Sequence, residues 1–339
     1  MLKPLHVKIR MASYFLGVDI GGSKSHAVIA DETGRIHGFG KAGAGISMNG
    51  DYSRLIRVLG EIVSQATEQA GIAADQIAGA GFGIANYDWP SQREPHLQAI
   101  GTLGLNAPVG LVNDAIPGLL AASPRGWGIC VTAGTGCNCR GWDANRREGR
   151  VTGFGLRYGE GAGATEMVAR AIQVVSTAWT LLTPPTRLTD VLVRAAGAKD
   201  VVDLLEGLTL DRYSIPPSVA PEIFRVAAEG DAVAQDIIRW AGAELGRMAI
   251  AVCRQLKFED LDFDLVLVGR VVTGSPRLID ARCETVYPVA PGAQLIHLTA
   301  PPVIGSVLLG MEQAGLDREQ IGRARAALLA ASLEPASKT

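Results

Sequence analysis

Asp19, followed closely by Gly21, Gly22, Ser23, Lys24 and Ser25, opens the chain's supply of residues whose types and spacing suit chemistry. The stretch Phe15–Ala30, FLGVDIGGSKSHAVIA, reads as a strand (Phe15–Ile20), a tight Gly21–Gly22 turn and a second strand (Ser25–Ala30). Adjacent glycines permit positive φ and let a ligand approach the backbone. Asp19 ends the first strand, where its carboxylate can face the turn, while Ser23, Lys24 and Ser25 add hydroxyl, ammonium and N–H donors. Donors beside a carboxylate suit a phosphate tail with Mg2+, an ion that takes one or two carboxylates plus phosphate oxygens. An ordinary Gly-Gly β-hairpin would carry the same glycines.

A second turn has a matching composition. Thr132-Ala133-Gly134-Thr135-Gly136-Cys137-Asn138-Cys139 offers two hydroxyls and two glycine amides, again suited to cradling phosphate. By itself it is also just another hairpin; two matched turns in opposite halves of the chain favour the phosphate reading. Asp114 ends a strand at the boundary between the halves, where a carboxylate can take the proton of a hydroxyl attacking a γ-phosphate. Capping the helix that follows is the alternative role for it. Glu160 lies in a glycine-rich segment before a helix and suits either sugar hydroxyls or the positive helix N-terminus.

The elements that must position these residues follow from periodicity. After the opening hairpin, Arg35–Lys41 reads as a third strand, Asp51–Ala70 as a one-sided helix and Gln76–Ile84 as a buried strand. A helix near Ser91–Gly101 and a strand Val109–Val112 complete a β-β-β-α-β-α-β unit by about residue 120. In the loop before the first helix, Ser47 and Asn49 suit a polyhydroxylated ligand, or Asn49 caps the helix. The pattern then restarts with strands Gly128–Thr132 and Cys137–Trp142, and a third beginning at Arg150. The glycine-rich Gly153–Gly163 leads into a helix over 164–179, and proline-punctuated residues 183–228 form an insertion. A long helix (Asp231–Leu256), strands Leu265–Gly269 and Gln294–Leu298, and helices Pro301–Ala314 and Arg318–Ala331 finish the chain. Two like lobes would place both turns at the edges of a shared cleft.

Composition narrows the function classes. At 339 residues, 47% hydrophobic and 19% charged, the chain is globular and long enough for two domains. The net charge of −2 without a Lys/Arg cluster leaves nucleic acid no electrostatic footprint. No apolar run approaches ~18 residues, so no membrane span is expected. Residues 1–13 read as a leader without a secretion signal, with Met11 as an alternative start. Five scattered cysteines without a CxxC pair describe a reduced, cytoplasmic protein. Neither GxxxxGK[ST] nor a GxGxxG after a strand is present, which argues against P-loop and dinucleotide folds.

In order, GVDIGGSKS, LVND, VTAGTGCNC, GFGLRYGE, VLVGRVVTGS and PPVIGSVLLG resemble the N-acetylglucosamine kinases, which belong with the BadF/BadG/BcrA/BcrD-type activator ATPases in the sugar kinase/actin/Hsp70 superfamily. The resemblance spans about Phe15 to Gly315. It implies an α/β fold of two ribonuclease H-like (actin/hexokinase-type) lobes with a cleft between them, at 14–120 and 121–316, the helix near 317–331 packing back on the first. It implies transfer of the γ-phosphoryl of Mg-ATP to a sugar hydroxyl. On this resemblance Asp19, Gly21, Gly22, Ser23, Lys24 and Ser25, with Thr132, Gly134, Thr135 and Gly136, hold the ATP phosphates, and Asp19 holds Mg2+ through water. Gly269 and Thr273 lie near the adenosine, Asp114 is the base, and Asn49, Asn138, Gly153, Phe154, Gly155 and Glu160 meet the sugar. Its partner is then a small-molecule sugar, with a homodimer left open.

Three departures from the family pattern stand out. Glu160-Gly161-Ala162-Gly163 replaces the family's Asp-Glu-Gly-Ser, Asn86-Tyr87-Asp88 intrude where glycines are common, and Gly269-Arg270-Val271 replaces a Gly-Gly or Gly-Ser pair. Two other classes fit parts of the sequence. An activator ATPase would need a [4Fe–4S] cluster shared by a dimer; a sugar sensor would keep the site and lose turnover.

Overall fold

Alternating apolar residues and tight polar turns place three antiparallel strands at the start, β1 (Tyr14–Ile20), β2 (Ser25–Asp31) and β3 (Ile36–Ala42). The computed structural model describes residues 13–47 and 50–333; the leader up to residue 12 and Asn49 lie outside them. Asp31 closes the second turn, its Oδ1 accepting the amides of Thr33 and Arg35 at 2.9 and 3.2 Å. α1 (Ser53–Ala70) buries Leu55, Val58, Leu59, Ile62, Val63 and Ala66 on one face. On the edge strand β3, the side chains of Gln69 and Gln65 accept the amides of Phe39 and Lys41 at 2.7 and 2.9 Å. Those bonds occupy donors that an open sheet edge would otherwise offer to another chain.

β4 (Ile77–Ile84), α2 (Arg93–Gly101), β5 (Val109–Asn113) and α3 (Ala115–Ala122) follow. The sheet runs β3-β2-β1-β4-β5, with β1, β4 and β5 parallel. Beyond it the topology repeats. β6 (Gly128–Ala133), β7 (Cys137–Trp142) and β8 (Glu148–Arg150) pair antiparallel, α4 (Ala164–Trp179) follows, and α5 (Leu188–Ala196), α6 (Val201–Thr209) and α7 (Ala220–Ala228) form the insertion. α8 (Ala232–Leu256), β9 (Phe263–Val268), α9 (Pro276–Val286) and β10 (Ala293–His297) complete a sheet ordered β10-β9-β6-β7-β8, with β6, β9 and β10 parallel. Both sheets therefore show the repeat expected from element order, in the ribonuclease H-like arrangement that the family resemblance implies. The third strand of the second sheet begins at Glu148, not Arg150, because Asp143 Oδ1 accepts the amides of Asn145 and Arg147, both at 2.9 Å, and closes its turn early.

The described residues fall into two compact units, those up to 121 with those from 300 onward, and 122–299. The second unit thus ends at Thr299, short of the expected 316, because α10 (Val303–Gln313) belongs with the first. The reason is steric. A Cβ on Gly17 would lie 2.4 Å from the Val307 nitrogen, and one on Gly81 would lie 2.1 Å from the Ser306 oxygen. Glycines on β1 and β4 let the helix backbone settle directly on the sheet. α11 (Arg318–Ala330) packs in the same unit, with the Ala324 carbonyl against Gly34. Among the described residues no helix is long and apolar enough to cross a membrane.

Gly81→Val should therefore cost about 1–3 kcal/mol of stability by overpacking. Gly60→Ala, at an open helical site with nothing within 4 Å of the new methyl, should add ~0.5–1 kcal/mol. Urea midpoints of the two variants measure both effects; a Gly81→Val protein as stable as its parent would contradict the seating of α10.

Candidate active site

In the first unit, register carries the polar residues to one sheet edge. Asp19 pairs with Gly83 and Ile20 with Ile84 across parallel β1 and β4, and Ile84 pairs with Asn113 on β5. The ends of β1 and β5, bearing Asp19 and the Asn113–Asp114 step, thus lie at the same edge. Asp19 is 8% exposed and its carboxyl is pushed up to about 7, first by burial and then by the Asp114 charge, with Lys24 pulling the other way. Gly22, Ser23 and Lys24 are exposed, and the turn is closed by the Gly21 amide donating to the Lys24 carbonyl at 3.0 Å. Neither Gly21 nor Gly22 takes a positive φ.

Ser25 corrects an expectation. Its side chain is fully buried and its hydroxyl donates to the Gly43 carbonyl at 2.9 Å, so it fastens the next loop instead of facing the turn. The first amide of α3 is held by Asn113, whose Oδ1 accepts it at 3.1 Å.

In the second unit, Gly134, Thr135 and Gly136 are exposed between β6 and β7. The turn is strapped to the start of α4: the amides of Ala164 and Thr165 donate to the carbonyls of Gly134 and Thr135, both at 2.9 Å. The Thr165 hydroxyl adds a third bond to the Thr135 carbonyl at 2.9 Å. Gly269, at φ 104°, passes so close that a Cβ there would lie 2.2 Å from the Ala133 oxygen. The end of β9 and the threonine-glycine turn are therefore neighbours, and only glycine fits. Thr273 is exposed on the short 3-10 turn that follows Gly269 and Arg270. The Thr132 hydroxyl makes one long bond, 3.4 Å, to the Asn138 carbonyl.

Glu160 organises the glycine-rich loop. Its Oε1 accepts the Thr152 amide and hydroxyl at 2.6 and 2.7 Å, and its Oε2 accepts the Phe154 amide at 3.0 Å. A carboxylate has about four acceptor positions, so these three bonds leave one for a ligand. Within the loop, Gly153 and Gly155 are left-handed at φ 74° and 64°. Phe154 and Tyr158 project from it exposed and edge to face, with centroids 5.4 Å apart.

Three residues that periodicity and motif spacing missed belong to this description. Tyr158 forms the aromatic pair, and Glu166 puts a nearly buried carboxyl, shifted upward mainly by burial, beside Gly155 and Gly163. Asn113 is the third, signalled in the sequence only by its place before Asp114.

Cys137 and Cys139 share the buried face of β7. Burial, with the Glu166 charge second, pushes the Cys137 thiol up to about 12, and burial holds Cys139 well above the ordinary thiol range. Thiols so protected from ionisation are core residues, not ready cluster ligands.

A family model matches residues 16–310. The chain belongs to the BadF/BadG/BcrA/BcrD ATPase family. An N-acetylmuramic acid/N-acetylglucosamine kinase of Clostridium acetobutylicum is 22% identical over 304 residues, covering 88% of this chain and 99% of that one. An N-acetyl-D-glucosamine kinase of Dictyostelium discoideum is 22% identical over 318 residues, covering 88% and 97%. The fold is shared with a candidate N-acetylglucosamine kinase of Chromobacterium violaceum, at a TM-score of 0.64 and 22% identity over 88% of this chain and 98% of that one.

The carboxyl of Asp19 generates a pH prediction for this family member without nucleotide or divalent cation. A folded-state value near 7, against an ordinary 3.8, means the native state holds a proton that the unfolded chain releases. Stability is consequently lost as pH rises from about 4 to about 7. Asp19→Asn removes that loss, so it should raise the melting temperature most at pH 8, and the gain should fade as pH falls toward 4. A gain that is the same at pH 5 and pH 8 would refute the assignment.

Proposed function

We propose that the protein is an ATP-dependent sugar kinase that transfers the γ-phosphoryl of Mg-ATP to a hydroxyl of an amino sugar, N-acetylglucosamine foremost, giving the 6-phosphate. The observation that carries the reading is the edge of the first sheet, where a buried Asp19 beside an open, donor-rich turn stands with Asp114. Membership of an ATPase family supports the nucleotide, and the names of two relatives matched over nearly their whole length support the sugar.

Gly21, Gly22, Ser23 and Lys24 are assigned to the phosphates, together with Thr132, Gly134, Thr135 and Gly136. Gly269 and Thr273 are assigned to the adenosine side. Asp19 suits Mg2+ held through water: it is a buried carboxylate without enough neighbouring positive charge, and among the described residues no cage of three or more ligand side chains competes. Bound with the nucleotide, that ion neutralises phosphate charge. Asn138, the Gly153–Gly155 segment and the remaining acceptor of Glu160 are assigned to the sugar, with Asn49 on resemblance alone.

Asp114 acts as the base. As the sugar oxygen attacks phosphorus, its proton passes to the Asp114 carboxylate; a phosphorus–oxygen bond forms to the sugar and the bond to the ADP oxygen breaks. The five scattered cysteines, which form no disulfide among the described residues, suit a reducing compartment, and we assign the protein to the cytoplasm. The same buried thiols weigh against the iron–sulfur activator reading.

ADP release with Mg-ATP across N-acetylglucosamine, glucosamine, N-acetylmannosamine, glucose and a sugar-free blank tests the reading. Turnover with one amino sugar well above the blank is expected; equal release in every tube would replace the kinase with a sugar-independent ATPase. Asp114→Asn should lower kcat at least about a hundredfold while leaving sugar and ATP binding near the parent's, as read by calorimetry. Glu160→Ala should raise the sugar KM about tenfold through loss of the loop bonds, with the ATP KM within about twofold. A change confined to the ATP KM would move Glu160 out of the sugar site.

A further inference from the structure

The intruding Asn86-Tyr87-Asp88 segment has a structural purpose that the family pattern does not supply. It follows β4 at the sheet edge that carries Asp19 and Asp114, and it begins with Asn86 in the left-handed region at φ 65°. That turn brings the segment against the residue preceding the proposed base. Asn113 is 2% exposed, and its Nδ2 donates to the Asp88 Oδ1 at 3.1 Å and to the Tyr87 carbonyl at 3.3 Å. Its Oδ1 accepts the Ala115 amide at 3.1 Å. The Asn113 side chain therefore closes an Asx turn whose middle residue is Asp114. One end of that turn is fixed by α3 and the other by Asp88.

The segment is itself braced. Gln92 Oε1 accepts the amides of Asp88 and Trp89 at 2.7 and 2.8 Å. Fully buried His96 packs against Tyr87 and Tyr52, with ring centroids 5.2 and 4.9 Å away, and its Nδ1 bonds the Gln92 carbonyl at 2.7 Å. A carboxylate accepting from a buried amide makes a charge-assisted bond, stronger than a neutral one.

We infer that Asp88 is a positioning residue: through its hydrogen bond to Asn113 it fixes the Asx turn that aims the Asp114 carboxylate at the substrate hydroxyl. The inference rests on the reading of Asp114 as base. Misplacing a reacting group by about 1 Å can cost on the order of a hundredfold, and the Asx turn keeps its bond to Ala115 when Asp88 is lost, so a smaller loss is expected.

The test is steady-state kinetics of Asp88→Ala and Asp88→Asn, each alone and combined with Asp114→Asn, with melting temperatures measured in parallel. Asp88→Ala should lower kcat about tenfold with both KM values within about twofold. Asp88→Asn retains an acceptor for Asn113 and should recover kcat to within about threefold of the parent. In the Asp114→Asn background, Asp88→Ala should remove nothing further, because its effect runs through Asp114. An unchanged kcat in Asp88→Ala, or the same proportional loss in both backgrounds, would overturn the inference. Should Asp88→Ala fail to fold, Asp88→Ser is too short to reach Asn113 and is read in the same way. Near-parental turnover of Asp114→Asn alone would instead remove the base assignment, so the two failures are distinct.

Discussion

Parallel pairing of β1, β4 and β5 is the constraint on which the first unit's chemistry depends. Parallel strands bring like ends together, so the register Ile20–Ile84–Asn113 places three strand exits side by side. Each exit carries a carboxylate within a few residues: Asp19 on β1, Asp88 after β4 and Asp114 after β5. Three acids on one edge repel, and burial deepens the penalty, as the upward shift of Asp19 shows. The fold deals with them in three ways. Asp88 is given an amide donor in Asn113, Asp19 sits beside the Lys24 ammonium, and Asp114 stays half-buried. The edge is electrostatically primed for a cation and a substrate proton, which is what phosphoryl transfer to an alcohol requires.

The second unit uses the same topology for a different task. Its exposed turn carries hydroxyls and glycines with no carboxylate, and its rigidity comes from three bonds that donors on Ala164 and Thr165 at the start of α4 make to the turn carbonyls. With those carbonyls occupied, the turn's remaining capacity is weighted toward donors, which suits anions. Close approach of Gly269 to Ala133 then ties the β9 exit to the turn. The same strand order thus carries different polar groups at its two hairpin turns, a carboxylate beside the first and hydroxyls and amides in the second.

Element order, both glycine turns and the places of Asp19 and Asp114 at strand ends were legible because they depend on local rules: strand alternation and turn residues. What was not legible depends on contacts distant in sequence. Ser25 reads as a ligand residue beside two glycines, yet Gly43, eighteen residues on, claims its hydroxyl. The helix α10 reads as the end of the second unit by chain position, yet glycines more than 200 residues earlier receive it. Asp88 looks like a disruption until Asn113, 25 residues later, is seen to need it.

The Glu160 loop shows how a departure in sequence can still leave a usable site. Where the family pattern has two adjacent carboxylates, a single one here would have to bind substrate and hold the loop together. Three of its roughly four acceptor positions go to Thr152 and Phe154, so it has room for about one further donor. Recognition that two acids would share must then draw on what the loop exposes. That is the exposed Phe154–Tyr158 pair, whose apolar ring faces suit the C–H face of a pyranose. The loop therefore offers two kinds of surface, the rings that it displays and the one open acceptor of the carboxylate that shapes it.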